Sequence, residues 1–184
     1  MSLMNARPDK APILVLAVGN PSRGDDAFGP LLAQQLQDWL AGQTADVQQA
    51  VELITDQQLV VEHALDLQGR ARVLFVDAAD RHDAPVALKA VVPVRGASQT
   101  KGQPDAPVVN SHSSTPGELL ALYQSLLNQV PPGADLLTLR GDGFELGAPL
   151  SDHAKTLMPA AWNLLQDWLD QALSSTRMEP LHHA

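Results

Sequence analysis

The sequence predicts an α/β domain built on a mostly parallel β-sheet with helices on both faces. Three observations predict it. Ile13–Val18 is an unbroken apolar run without the polar alternation of a half-exposed strand, so it reads as a strand buried on both faces. Val73-Leu74-Phe75-Val76 is a second run of the same kind. Between and after them, strand-like and helix-like stretches alternate, the order that covers a parallel sheet with helices.

The elements follow in order. After the first strand the chain breaks at Gly19-Asn20-Pro21, and a helix runs from about Asp26 to about Leu40, with Leu31, Leu32, Leu36, Trp39 and Leu40 at helical spacing. Pro30 is tolerated because it falls in the first turn. Residues 47–55 form a second strand, with Val47, Val51, Leu53 and Ile54 apolar. Residues 58–67 read as a second helix carrying Leu59, Val60, His63 and Leu67 along one side and ending at Gly69. The third strand, 73–76, ends at Asp77, and residues 86–94 make a fourth. Residues 97–109 are polar and rich in Gly, Pro and Ser, as in a mobile surface loop. A helix then opens at Thr115, with Pro116 in its first position and Glu118 where a capping box needs it; Leu119, Leu122, Tyr123, Leu126 and Leu127 supply its apolar face. Pro131-Pro132-Gly133 is expected to stop it. Residues 136–139 form a fifth strand, and 140–149 a glycine-rich loop. Ser151 or Asp152 caps a last helix to about Leu173, with Leu157, Ala161, Leu164, Leu165, Trp168 and Leu169 inward and a kink or short first turn at Pro159.

Composition narrows the function. The 184 residues are read as one domain over 1–184, with its core at about 13–173 and flexible tails. A net charge of −9 argues against a general nucleic-acid binder, which needs a basic face. The absence of cysteine excludes a thiolate nucleophile, a thiolate zinc site and any disulfide. No stretch approaches the ~20 apolar residues of a membrane span, and the first ten residues lack the apolar core of a signal peptide, so a cytoplasmic protein is expected.

Three polar residues stand out. Asp26 follows strand one, Asp77 ends strand three, and His112 precedes the helix that opens at Thr115. If those strands are parallel, all three reach the carboxyl edge of the sheet, where ligands bind in open α/β folds. Two carboxylates and an imidazole suit a divalent metal with open positions, or a histidine base oriented by a carboxylate. Each also has a plainer role: Asp25 or Asp26 as a helix cap, Asp77 as a turn former, His112 as a partner for its own loop. His63 is taken as structural, and His82 and His153 as surface or capping residues. Gly19, Gly24 and Gly29 match neither the dinucleotide fingerprint nor the Walker A loop. Ser113 or Ser114 beside His112 lacks a nucleophile elbow.

Together, Gly19-Asn20-x-x-x-x-Asp25-Asp26-x-x-Gly29, Phe75-Val76-Asp77-Ala78 and Ser111-His112 resemble the [NiFe] hydrogenase maturation endopeptidases, over roughly residues 13–173. The resemblance implies a three-layer α/β sandwich with a twisted, mainly parallel five-stranded sheet. It implies removal of a C-terminal extension from the hydrogenase large-subunit precursor once nickel has been inserted. It assigns metal contact and cleavage to Asp26, Asp77 and His112, with Asp25 as helix cap and support. Nickel is then supplied by the substrate; no permanently bound cofactor is expected, although a divalent metal could occupy the site in a crystal. The expected partner is the large-subunit precursor, with no nucleic acid or membrane, and a monomer is favoured. The chain departs from the family pattern in carrying Asp26 where some relatives have Glu, Ala27 where Gly is frequent, and Pro21-Ser22-Arg23 in place of a more apolar stretch. A non-catalytic metal- or peptide-binding accessory protein and a nucleotide-binding module are the competing classes.

Overall fold

The computed structural model describes residues 10–79, 84–94 and 114–178. Five strands form one sheet in the order β2-β1-β3-β5-β4: β1 (Ile13–Val18), β2 (Val51–Asp56), β3 (Arg72–Ala79), β4 (Val86–Val91) and β5 (Gly133–Arg140). All neighbours are parallel except β4, which runs antiparallel to β5. Helices α1 (Phe28–Ala41) and α4 (Asp152–Met178) share one face of the sheet, and α3 (Pro116–Leu127) lies on the other, as the side chains they bury show. The predicted three-layer, mainly parallel five-stranded sandwich is therefore what forms.

The unbroken apolar run of β1 has a direct structural cause. Ile13, Val15 and Ala17 pack among Phe28, Leu32, Leu36, Leu165 and Leu169 on one face. Leu14, Leu16 and Val18 pack among Leu67, Phe75, Leu119 and Leu120 on the other. β3 divides its side chains the same way, Leu74 and Val76 to the first layer, Val73 and Phe75 to the second. Neither strand has a solvent side, so neither shows polar alternation.

Several boundaries differ from the sequence expectation. The second strand starts at Val51, because Ala45–Ala50 forms a short helix, α2, running straight into it. The Gln48 side-chain amide ties that helix to the end of α1 by donating to the Ala41 and Gln43 carbonyls. The expected helix over 58–67 is instead a single 3-10 turn, Val61–Leu65. Of the expected inward face, Leu59, His63 and Leu67 are buried and Val60 is half-buried, so the apolar side is placed as expected although only one turn of helix forms. In α1, Leu31 is exposed while Leu32 and Leu36 are buried. The third helix has the expected Thr115–Glu118 capping box but ends at Leu127, where Asn128 turns left-handed (φ 50°). Pro131-Pro132-Gly133 does not stop it; Gly133 begins β5, which pairs along the full length of β3 despite its polar Asp135, Thr138 and Arg140. β4 ends at Val91 rather than at 94. Ser151 is the residue that caps α4, its Oγ accepting from the Ala154 N–H. That helix passes through Pro159, so it does not begin there, and it extends beyond Leu173 to Met178. The expected loop 97–109, His82 and the outer tails lie outside the described residues.

At the amino-terminal edge of the sheet the Asp135 carboxylate accepts from Arg72 (2.6 Å) and from the Trp168 indole N–H (2.8 Å), joining β3, β5 and α4. Arg70 pairs with Glu52 at 2.7 Å along the same edge. These charges are committed to holding elements together, far from the edge where a ligand is expected.

The double-sided burial of β1 sets a stability expectation. Leu16 is 0% exposed, so Leu16→Ala should cost about 2–5 kcal/mol through lost burial and a residual cavity. The cost should appear as a lower urea midpoint with an unchanged denaturant slope.

Candidate functional site

The site grows from the end of β1. Gly19 leaves the strand with φ 142°, and a Cβ there would lie 2.0 Å from the Asp26 carbonyl oxygen. Ten residues later, a Cβ on Gly29 would lie 2.1 Å from the Val18 carbonyl oxygen. These two glycines let the start of α1 press directly onto the end of β1, which confines the intervening turn to the carboxyl edge. The 3-10 turn Gly24–Ala27 carries the two adjacent carboxylates. The Asn20 N–H donates to Asp26 Oδ2 at 3.0 Å, closing the turn on itself and aiming the half-buried Asp26 side chain back over β1.

Asp77 arrives at the same edge from β3. Alternation along the strand sends its side chain to the face shared by Val73, Phe75 and α3. Its pKa is pushed up to about 7, first by burial and further by the negative charge of Asp26, while a hydrogen bond from the Ala78 N–H pulls the other way. The structure thus brings Asp26 and Asp77 within electrostatic reach, two carboxylates that share few donors. A cation between them would relieve both the burial of charge and the repulsion. His112 lies outside the described residues. Among the described residues no group of three His, Cys, Asp or Glu side chains is placed to hold a metal ion.

Asp25 has a different part from the one the sequence suggested. It caps no helix: neither the 3-10 turn nor α1 has a side-chain cap. It is fully buried, and its carboxylate accepts from the N–H groups of Asp142 (2.7 Å), Gly143 (3.3 Å) and Ser151 (2.7 Å) and from the Ser151 hydroxyl (2.8 Å). Burial raises its pKa, but those donors together outweigh it and hold the carboxyl below its ordinary value. Two neighbouring aspartates of identical chemistry are therefore driven in opposite directions from each other, one inward to four donors, the other outward to the edge.

Asp56 was not singled out by sequence. It ends β2 beside Gly19, whose N–H donates to the Asp56 carbonyl at 3.0 Å. His63, read as structural, is buried; its Nδ1 accepts from the Val60 N–H, and its Nε2 stands 3.5 Å from Asp56 Oδ2. The signal that could have found Asp56 is the one that found Asp77, an acid closing an apolar strand. His153 lies half-buried in the first turn of α4, two residues after the Ser151 cap. The glycine turn is closed to a phosphate: the N–H groups of Gly24 and Asp25 are donated to the carbonyls of Ala148 and Gly143. That removes the donors a nucleotide-binding loop requires.

Comparison with solved structures places this architecture. The hydrogenase maturating endopeptidase HybD from E. coli superposes with a TM-score of 0.58 at 18% identity, over 87% of this chain and 93% of that one. The [NiFe] hydrogenase maturation protease HycI from Thermococcus kodakarensis gives 0.58 at 20% identity, over 88% and 94%. The hydrogenase 2 maturation peptidase from a Thaumarchaeota archaeon gives 0.56 at 21% identity, over 85% and 97%. No protein-family model and no curated protein matches the chain by sequence. The chain has the hydrogenase maturation protease fold. At these identities the likeness is one of fold, and it runs through nearly the whole length of each protein.

The raised pKa of Asp77 sets a pH dependence of stability. Unfolded, the group titrates near 3.8; folded, near 7. Between those values the folded state binds the extra proton, so stability falls as pH rises from about 4 to about 7 and levels off above. Asp77→Asn, which keeps shape without charge, should match the wild type near pH 4 and exceed it at pH 8 by on the order of a few kcal/mol. Urea midpoints of the two proteins across that range check it.

Proposed function

We propose that this protein is an endopeptidase that removes the C-terminal extension of a [NiFe] hydrogenase large-subunit precursor after nickel insertion, with the substrate-held nickel as its recognition element. The observation that carries the reading is the convergence of Asp26 and Asp77 at the carboxyl edge of a maturation-protease fold. The partner is the precursor, and the reaction takes place in the cytoplasm, with the enzyme acting as a monomer; no helix of the described residues is long and apolar enough to cross a membrane.

In this reading Asp26, Asp77 and His112 contact the nickel that the substrate brings. Carboxylate oxygens and one imidazole are suitable donors for such an ion and leave positions for ligands from the precursor. Nickel supplies positive charge beside the scissile peptide, where a cation polarises a carbonyl or activates water. The chain's own contribution is positional. Asn20 holds Asp26 in line, and the end of β3 presents Asp77 from below. Asp77 must give up its proton to bind a cation, whose positive charge would then offset the repulsion between the two carboxylates. The chain has no cysteine, so any covalent thioester route is closed.

Purified protein incubated with nickel-loaded and nickel-free precursors, followed by intact mass, tests the reading. Loss of a C-terminal peptide only from the loaded precursor is expected. No cleavage of either form would favour a non-catalytic accessory protein, and cleavage of both would remove nickel from the recognition step. Asp26→Asn, Asp77→Asn and His112→Ala should each lower the processing rate by at least about a hundredfold, or about 2.7 kcal/mol of transition-state stabilisation, with the circular-dichroism spectrum unchanged.

A further inference from the structure

We propose that Asp25 and Ser151 are positioning residues that set the spacing between Asp26 and Asp77, acting through the 141–143 segment that follows β5. This rests on the reading of Asp26 and Asp77 as the substrate-contacting pair. A continuous path of short hydrogen bonds and backbone runs from one aspartate to the other. Two residues beyond Asp77, the Ala79 carbonyl at the end of β3 accepts from the Gly141 N–H at 2.9 Å. The next residue, Asp142, donates its N–H to Asp25 Oδ2 at 2.7 Å. In return the Asp25 N–H donates to the Gly143 carbonyl at 2.8 Å. Asp26 is the next residue in the chain. The two carboxylates at the edge are thus linked through the first three residues after β5, although β1 and β3 are themselves adjacent strands.

The link has little slack. A Cβ on Gly141 would lie 2.8 Å from the Asp25 Cβ, so the 141–143 segment and the aspartate backbone meet as closely as glycine permits. Gly24 repeats this approach: its φ is 55°, and a Cβ there would lie 2.4 Å from the Gly143 carbonyl oxygen. Three outer bonds brace the same two loops: Gly24 N–H to the Ala148 carbonyl, Gly147 N–H to the Ser22 carbonyl, and Arg23 Nε to the Phe144 carbonyl.

Ser151 anchors the far end. Its N–H and hydroxyl reach both oxygens of Asp25, and its Oγ also accepts from the Ala154 N–H as the cap of α4. A buried carboxylate with four donors is worth keeping only if the geometry it enforces matters, since unpaired it would be strongly unfavourable. Among the described residues the Asp26 carboxylate accepts one hydrogen bond, from the Asn20 N–H, while the Asp26 N–H donates to the Arg23 carbonyl at 3.2 Å, so both bonds lie within its own turn and neither reaches β3. Asp25 does not face the edge and touches no substrate; its effect is transmitted through the backbone.

Ser151→Ala is the main test, because Asp25→Asn sets an amide N–H against backbone donors and risks misfolding. The readouts are backbone amide exchange by NMR and steady-state cleavage of the nickel-loaded precursor. In Ser151→Ala the Asn20 amide, which reports the Asp26 contact, should exchange at least about tenfold faster, while strand amides such as Leu74 change by a smaller factor. Cleavage should fall about tenfold in kcat with KM within about twofold, as for a group that matters in the transition state rather than in binding. Ser151→Thr, which keeps the hydroxyl, should restore both. An unchanged Asn20 amide, or one accelerated by the same factor as Leu74, overturns the proposal, since the second pattern is only global loss of stability. Wild-type protein that cleaves nothing, with the Asn20 response intact, overturns the peptidase reading and leaves the positioning of Asp26 standing.

Discussion

Burial of β1 on both faces is the constraint from which the rest of the structure follows. Ile13 to Ala17 are 0% exposed, and a strand with no solvent side must lie inside a sheet with a packed layer above and another below. Parallel pairing with β2 and β3 then forces three strand ends to one edge. β1 ends at Val18 and β2 at Asp56, and Asp77 stands at a similar height two residues before the end of β3, so whatever the chain carries there is gathered at one edge. The opposite edge has Arg70–Glu52 and Arg72–Asp135, where charges are spent on cohesion.

The aspartates of the carboxyl edge show how environment divides identical side chains. Asp25 is buried and satisfied by four donors, so its charge is stable and serves the architecture. Asp77 is partly buried with one backbone donor and another carboxylate nearby, so its charge is unfavourable as it stands. A positive charge placed beside Asp77 would offset both the burial of its charge and the repulsion from Asp26. Both groups have the same intrinsic chemistry and both are raised by burial; the contrast is that four donors outweigh burial at Asp25, while at Asp77 a single backbone donor does not.

The shared fold with maturation proteases at about one-fifth identity has the same origin. The two-layer core asks only for apolar residues of suitable size on alternating sides of a few strands, and many sequences meet that demand. The close approaches at Gly19 and Gly29 are less forgiving, because a methyl group at either would sit inside the van der Waals radius of a carbonyl oxygen. Backbone geometry around the edge is thus more tightly specified than the core that supports it.

Much of this was legible in the residues. Apolar runs identified β1 and β3 because double-sided burial leaves no polar position, and the Thr115–Glu118 box identified the start of α3 because capping is local. The 3-10 turn at Val61–Leu65, the polar start of β5 and the passage of α4 through Pro159 were not, because each depends on neighbours distant in sequence: packing against α3, a full-length strand partner, a packed helix face. Asp26 and Asp77 were found as candidates, since an acid just past a buried strand is a local signal, while His112 lies outside the described residues. By itself the sequence determined the layer architecture and brought out Asp26 and Asp77 as acids beyond the apolar runs of β1 and β3, because periodicity and capping act over a few residues. Only the tertiary structure decided that Asp25 turns inward to β5 and α4 while Asp26 turns to the edge, because their partners at 142, 143 and 151 lie more than a hundred residues away and are brought close by the closing of the sheet.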